Sequence, residues 1–565
     1  MGYGEDLRAR RGGQARPDPT RGRIAVAAAA FVAVFALIGG RMAQIALFSG
    51  GEPESAPAMA EAGPQGRPDI LDRNGVILAT DLEVASIYAD PRSVWDAAET
   101  ARALSGVFPD LDVEELTLKL QAKTAFVWIK RDITPRQHAA VHDLGLPGIA
   151  FRQELKRVYP NGRAAAHVLG FVDVDNKGLA GMERAIDTTL AERTAHGEPV
   201  TLSIDLRVQH VVEDELAKTI ETFSAIGGAG LVMDVDTGEV VAMVSLPDFD
   251  PNHVNDDPAE NRFNRTTLGV YEMGSTFKSF NTAMALDAGV SSHDYFDARA
   301  PIRIGRFTIK DYHPMGRALT VEEIFEHSSN IGSANMARKM GAERQKAFLA
   351  SLGQLDPVPL ELPERGMPLS PSNWSEVSML TISFGHGIAV SPMHVVTGVS
   401  AMANGGMFIT PTILAREPGK PIPVRRVLKE ETSAEMNRLF RLVVEKGTAR
   451  KADVPGYPVG GKTGTAEKAT GRGYARKALL SSFIGIFPAN DPKYAVLVII
   501  DEPKGTKETS GFATGGWTAA PATSRIVARI APMLGVEPVR APEDEAVALA
   551  QGESKSDAVL LAQDH

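Results

Sequence analysis

With 565 residues, 44% of them hydrophobic, the chain is too long for one core and predicts two folded domains plus terminal segments. A formal net charge of -10 leaves no broad basic surface and excludes nucleic acid as the principal partner. Cysteine is absent and the 12 histidines show no ligand spacing such as His-Glu-x-x-His. Disulfide and thiolate chemistry are therefore excluded, and neither a metal nor a cofactor is expected.

The chain opens with a basic arm, residues 1–23, carrying Arg8, Arg10, Arg11, Arg16, Arg21 and Arg23. Residues 24–40 contain no charge, and apolar character resumes after Arg41 through Phe48. The pattern predicts a transmembrane helix over 24–48, since about 20 apolar residues cross a bilayer and Arg41 can snorkel to the headgroups. The positive-inside rule leaves the arm in the cytoplasm and the bulk of the protein in the periplasm, which makes this a single-pass inner-membrane protein. A cleaved signal peptide is the competing reading, because Ser55-Ala56-Pro57-Ala58 is rich in small residues. Against it, the charged n-region is long and that site lies well beyond the apolar run.

Residues 49–66, rich in Gly, Pro, Ala and Glu, predict a linker. From 67 to 204, β-like runs at 84–88 and 126–129 mix with helical patterns such as 113–120, predicting an α+β module without obvious chemistry. A second domain is predicted over 205–535. It starts with a helical period over 205–222, followed by strands at 229–233 and 239–244 joined by the turn Asp236-Thr237-Gly238. Runs at 483–487 and 494–500, on either side of Asn490-Asp491-Pro492, add two more strands. An antiparallel sheet flanked by helices follows. Residues 536–565 turn acidic and Pro/Ala-rich and predict a flexible tail.

Three motifs fall within the second domain in the order Ser275-Thr276-Phe277-Lys278, Ser328-Ser329-Asn330 and Lys462-Thr463-Gly464-Thr465. Each alone has a bland reading: Ser275 as a helix cap, Asn330 as a turn residue, Lys462 as an exposed strand charge. The ordered set points to a serine acyltransferase. If Ser275 and Lys278 lie in the first turn of a helix beginning near Gly274, they share a face and an amine can touch a hydroxyl. Lys278 is then the candidate base, provided that burial and nearby positive charge lower its pKa. Ser328 can relay a proton between that lysine and a leaving group, while the Asn330 amide holds a peptide bond. A second Ser-x-Asn, Ser333 and Asn335, falls in what reads as the body of a helix, so the first pair is preferred. Lys462, Thr463 and Thr465 can bind a carboxylate, and Gly464 removes a side chain that would block substrate.

At these residues the chain resembles the class B penicillin-binding proteins, the membrane-anchored peptidoglycan transpeptidases, and within them the division-specific FtsI (penicillin-binding protein 3) type. Arg67-Pro68-Asp69-Ile70-Leu71-Asp72-Arg73-Asn74-Gly75, Arg157-Val158-Tyr159-Pro160 and Gly178-Leu179-Ala180-Gly181-Met182-Glu183 look like the family's pedestal motifs. The resemblance implies a multidomain α+β fold: a transmembrane helix, a non-catalytic pedestal of the dimerisation type over 67–204, and a penicillin-binding transpeptidase domain resembling serine β-lactamases over 205–535. It implies that Ser275 attacks a stem peptide ending in D-Ala-D-Ala, that a neighbouring stem amine resolves the ester, and that β-lactams acylate Ser275. It further implies an oxyanion hole from the N–H groups of Ser275 and Thr465, a mobile loop over 505–517, and partners at the septum that include a glycan polymerase of the FtsW type. Met273 stands where the family usually has proline, and residues 1–66 leave no room for a glycosyltransferase domain.

Close alternatives are an elongation-specific relative, which usually carries aspartate where Asn330 stands, and a β-lactam-hydrolysing enzyme, for which no water-activating base is identifiable. A β-lactam sensor would need a larger membrane part, and a non-catalytic division scaffold would show a damaged site.

Overall fold

The computed structural model of the protein describes residues 29–41 and 66–539, with the exception of 196, 306, 471 and 472. The chain divides into two compact units between Gln65 and Gly66. In the first, residues 29–41 are helical and leave Phe31, Val32, Phe35 and Leu37 exposed. The basic arm, the flanks of the expected anchor, nearly all of the linker, and the tail from 540 onward lie outside the described residues. Among the described residues no helix is long and apolar enough to cross a membrane.

The second unit begins with an α+β module. Its elements are β1 (Ile70–Leu71), β2 (Ile77–Ala89), α1 (Ala97–Val107), α2 (Val113–Leu120), β3 (Val127–Ile133), α3 (Pro135–Asp143), β4 (Ile149–Val158) and β5 (Val200–Thr201). The long strand β2 pairs antiparallel with β4, from Thr80 opposite Val158 to Ala89 opposite Ile149, and its far end also pairs with β3. β1 joins the near end and runs parallel to β5. These three of the module's helices start where an oxygen-bearing side chain can take a free N–H: Asp96, Asp112 and Thr134 accept from Glu99, Glu115 and Gln137. Each such cap is worth about 0.5–2 kcal/mol. Apolar residues at helical spacing, among them Leu104, Leu116 and Val141, pack on Ile87, Ile129 and Ile133 to form a small separate core.

The base of this module has no core of its own. Ile70, Leu78, Tyr159, Leu169 and Met182 belong to the same buried cluster as the sheet that follows, so packing continues across the sequence boundary at 204. Asp72 lies at this junction. Its carboxylate accepts from the N–H groups of Asn74, Val76 and Leu206.

Beyond it lie α4 (Leu206–Thr222), β6 (Gly227–Asp234), β7 (Val240–Leu246), α5 (Lys278–Asp287), α6 (Asn330–Met340), α7 (Pro392–Ala403), α8 (Glu430–Glu445), β8 (Gly460–Thr470), β9 (Gly473–Phe487), β10 (Tyr494–Asp501) and α9 (Ala519–Met533). Five strands form an antiparallel sheet in the order β8-β9-β10-β6-β7. The runs 231–233 and 496–500 are buried without alternation, as strands covered on both faces require. α4 and α9 pack together on one face, and α7, buried along its whole length, packs against the sheet as well. β8 is an edge strand, and the turn Gly274–Phe277 lies against it.

Candidate active site

Ser275 sits in a 3₁₀ turn (Gly274–Phe277), and α5 begins at Lys278. The sequence predicts an α-helix from near Gly274; the tighter turn instead eclipses positions i and i+3, which brings Lys278 directly to Ser275. Lys278 Nζ donates to the Ser328 carbonyl at 2.6 Å and to Asn330 Oδ1 at 2.7 Å, and lies within hydrogen-bond distance of Ser275 Oγ, at 3.1 Å, and of Ser328 Oγ, at 3.0 Å. From β8, Lys462 Nζ donates to the same Ser328 Oγ at 3.0 Å and to its neighbour's carbonyl, Thr463 O, at 3.2 Å. Ser328 therefore bridges two lysines.

Both lysines are fully buried, at 1% and 0% exposure, and Lys462 is not the exposed strand charge of the bland reading. Burial pushes the Lys278 amine well below its ordinary pKa, the Lys462 charge pushes it further, and Asp311 opposes them. Burial alone lowers Lys462 to about 7. The chemistry can be counted in protons. A neutral Lys278 has two N–H donors and one lone pair. The Ser328 carbonyl and Asn330 Oδ1 can only accept, so they take the two donors and leave the lone pair for a hydroxyl proton. The arrangement can deprotonate Ser275.

Two of these residues also have contacts within the protein. The Asn330 amide is used within the protein: its oxygen holds Lys278 and one N–H goes to the Lys310 carbonyl at 2.9 Å. Gly464 is needed for backbone approach, since a Cβ there would lie 2.4 Å from Ser482 Oγ and 2.7 Å from the Met273 carbonyl. It lets the strand close on the serine turn. Gly274 complements it with φ of 53° and only 2.7 Å between a hypothetical Cβ and the Thr465 carbonyl. Met273 is buried, and its carbonyl accepts from Thr276 Oγ1 at 2.8 Å, so the turn is closed without a proline.

Thr463 and Thr465 alternate with Lys462 and Gly464 along β8 and point to the opposite side. Thr463 Oγ1 lies 2.7 Å from Thr448 Oγ1, and Thr465 Oγ1 accepts from Gly515 N at 3.1 Å. The 505–517 loop is thus pinned to the motif near its end. Ser333 and Asn335 are employed elsewhere: Ser333 Oγ donates to the Ser383 carbonyl and Asn335 Nδ2 to the Asp297 carbonyl.

Sequence reasoning missed Asp311, Thr448 and the 383–387 loop. Asp311 carries no spacing signal, being an isolated carboxylate that folding brings to Ser329. Thr448 follows a helix end, where a hydroxyl reads as ordinary. The loop had a faint signal in Gly385 and Gly387; it is stapled to the serine turn by Gly387 N donating to Glu272 Oε1 at 2.9 Å and Gly274 N to the Gly385 carbonyl at 3.3 Å.

Two family models match. The penicillin binding protein transpeptidase domain covers residues 228–527, and the penicillin-binding protein dimerisation domain covers residues 63–195. The probable peptidoglycan D,D-transpeptidase FtsI of Caulobacter vibrioides is 43% identical over 539 residues, 93% of this chain and 90% of that protein. The probable peptidoglycan D,D-transpeptidase PenA of Neisseria gonorrhoeae is 32% identical, over 85% of this chain and 86% of its own. Among solved structures, a peptidoglycan synthetase from Bifidobacterium adolescentis superposes with a TM-score of 0.65 at 26% identity, covering 84% of this chain and 96% of the other.

Proposed function

This chain belongs to the class B penicillin-binding proteins and is a peptidoglycan D,D-transpeptidase, and from that premise we propose that it crosslinks stem peptides at the division septum through an acyl-enzyme on Ser275. The observation that carries the assignment of roles is the contact of a buried Lys278 amine with Ser275 Oγ at 3.1 Å. Neutral Lys278 takes the serine proton as Oγ bonds to the carbonyl carbon of the penultimate D-alanine. The N–H groups of Ser275 and Thr465 receive the oxyanion, the former being among the first N–H groups of its turn, which have no partner within the helix. Protonated Lys278 then has three donors, for the Ser328 carbonyl, Asn330 Oδ1 and Ser328 Oγ. The Ser328 hydroxyl passes a proton to the departing amine of the terminal D-alanine. An amine from a neighbouring stem attacks the ester by the reverse path. Thr463 and Thr465 hold the substrate's terminal carboxylate, with Lys462 contributing its charge and its grip on Ser328. β-Lactams acylate the same serine as their ring opens.

The apolar side chains exposed on the helix at 29–41 support a single membrane anchor over 24–48, with a short cytoplasmic arm and a periplasmic bulk. The FtsI name of the Caulobacter relative supports a septal site of action, beside a membrane glycan polymerase of the FtsW type and other division proteins. The test is to incubate the full chain in detergent, wild type and Ser275→Ala, with a fluorescent penicillin. A covalent adduct that survives denaturation is expected in the wild type alone. A folded wild type that takes no label would overturn the assignment.

A further inference from the structure

Ser328 adopts a left-handed backbone conformation, φ 61°, which residues with a Cβ rarely occupy unless their surroundings impose it. The conformation has a use: it turns both the carbonyl and the hydroxyl of Ser328 toward Lys278. Something must hold it. Asp311, half-buried, follows a two-stranded hairpin (Ile302–Ile304 with Phe307–Ile309) outside the main sheet. Its Oδ1 accepts from Asn330 N at 2.6 Å and Ile331 N at 2.9 Å, and its Oδ2 accepts from Ser329 Oγ at 2.7 Å. Ser329 Oγ in turn accepts from Gly332 N at 2.9 Å, capping α6. One carboxylate thus engages the three residues that follow Ser328, where a negative charge also suits the helix N-terminus.

We propose that Asp311 is a positioning residue for acyl transfer: its carboxylate fixes the first turn of α6, and so sets Ser328 and Asn330 against the Lys278 amine. This rests on the acyl-transfer reading above. Asp311 acts in two ways. The hydrogen bonds set geometry, and the negative charge favours the protonated form of Lys278. The other charged group that bears on Lys278 is Lys462 from β8; the titratable His386 of the 383–387 loop, held below its ordinary pKa by burial, faces Lys278, Glu272 and Glu467.

The two effects separate by substitution. Asp311→Ala removes both the acceptors and the charge, whereas Asp311→Asn keeps one acceptor oxygen for the two backbone N–H groups, removes the charge and turns the atom facing Ser329 Oγ from an acceptor into a donor, which the Ser329 hydroxyl can accept. The experiment measures the rate of Ser275 acylation by a fluorescent penicillin in the full-length protein, from about pH 5 to about pH 9. Asp311→Ala is expected to be slower by at least about tenfold at neutral pH. Asp311→Asn is expected to recover most of that loss and to move the acid limb of the profile to lower pH, because Lys278 loses its proton more readily without the carboxylate. A purely structural role would slow acylation without moving the limb. Wild-type rates in Asp311→Ala, or an unshifted limb in Asp311→Asn, overturn the proposal, and the Asn profile decides alone if the Ala variant does not fold. A wild type not labelled at Ser275 overturns the acyl-transfer reading and this inference with it; a labelled wild type with indifferent variants overturns this inference alone.

Discussion

Lys462 carries a cost that its function requires. Burial lowers it from its ordinary value to about 7, so the folded state binds this proton less readily than the unfolded chain. The penalty is complete below the folded pKa, near 7, and disappears as pH rises through the unfolded value, about 10.4. Replacing Lys462 with methionine, which fills similar space without charge, is expected to raise the melting temperature, most at and below pH 7, with the advantage over wild type shrinking as pH rises and vanishing only above about pH 10.4. The same variant loses the donor to Ser328 Oγ, and Ser275 acylation is expected to fall on the order of a hundredfold. Thermal melting across pH, beside acylation rates, checks both halves; an advantage independent of pH would mean that the lysine is not desolvated as its surroundings imply.

At the level of elements, the site is a meeting of an edge strand, a tight turn and a helix start. β8 approaches the serine turn because Gly464 and Gly274 have no Cβ, and Gly515 and Gly385 allow two loops to close over the same place: a Cβ at Gly515 would lie 2.3 Å from the Ser482 carbonyl, and one at Gly385 2.2 Å from the Gly274 carbonyl. Gly464→Ala is therefore expected to push β8 away from Ser275, slowing acylation by about tenfold and lowering stability by about 1–3 kcal/mol as overpacking does. Acylation kinetics and denaturant titration measure it, and wild-type rates in the variant would show that the strand has slack. The three motifs were legible because each is a short run of fixed residue types and their order along the chain is specific. The internal contacts of Gly464 and Asn330 were not, because a glycine's close neighbours and an amide's partners come from segments far away in sequence.

Across the molecule, the pedestal motifs converge on one buried ion cluster. Glu183, fully buried, accepts from Arg157 Nε at 2.6 Å and Arg67 Nε at 2.8 Å, and Arg157 Nη1 also reaches Asp81 at 3.2 Å. A charged cluster of this kind need not stabilise relative to an apolar core, but losing one member leaves buried charge uncompensated. Glu183→Ala is expected to lower stability by about 3–5 kcal/mol, with Ser275 still labelled by penicillin in the fraction that remains folded. Denaturant titration gives the first, gel fluorescence the second; a loss of less than about 1 kcal/mol would show that water enters and screens the arginines. Because the pedestal base shares its buried cluster with the catalytic sheet, the loss is expected in one unfolding transition and not two.

The sequence by itself determined the elements with strong local causes. Residues 113–120 are helical because Asp112 caps a periodic apolar face, β6, β7 and β10 and the second part of β9 follow the β-rich runs at 229–233, 239–244, 494–500 and 483–487, and the ordered motifs name an acyltransferase. The 3₁₀ form of the serine turn, the clamp of Asp311 on α6, the contact of Thr448 with Thr463 and the shared core at the pedestal base were decided only by tertiary structure. The reason is physical: periodicity, capping and turn preference act over a few residues and are written along the chain. Desolvation of an amine, close approach of two backbones and the pairing of a buried carboxylate depend on which distant segments the fold brings together.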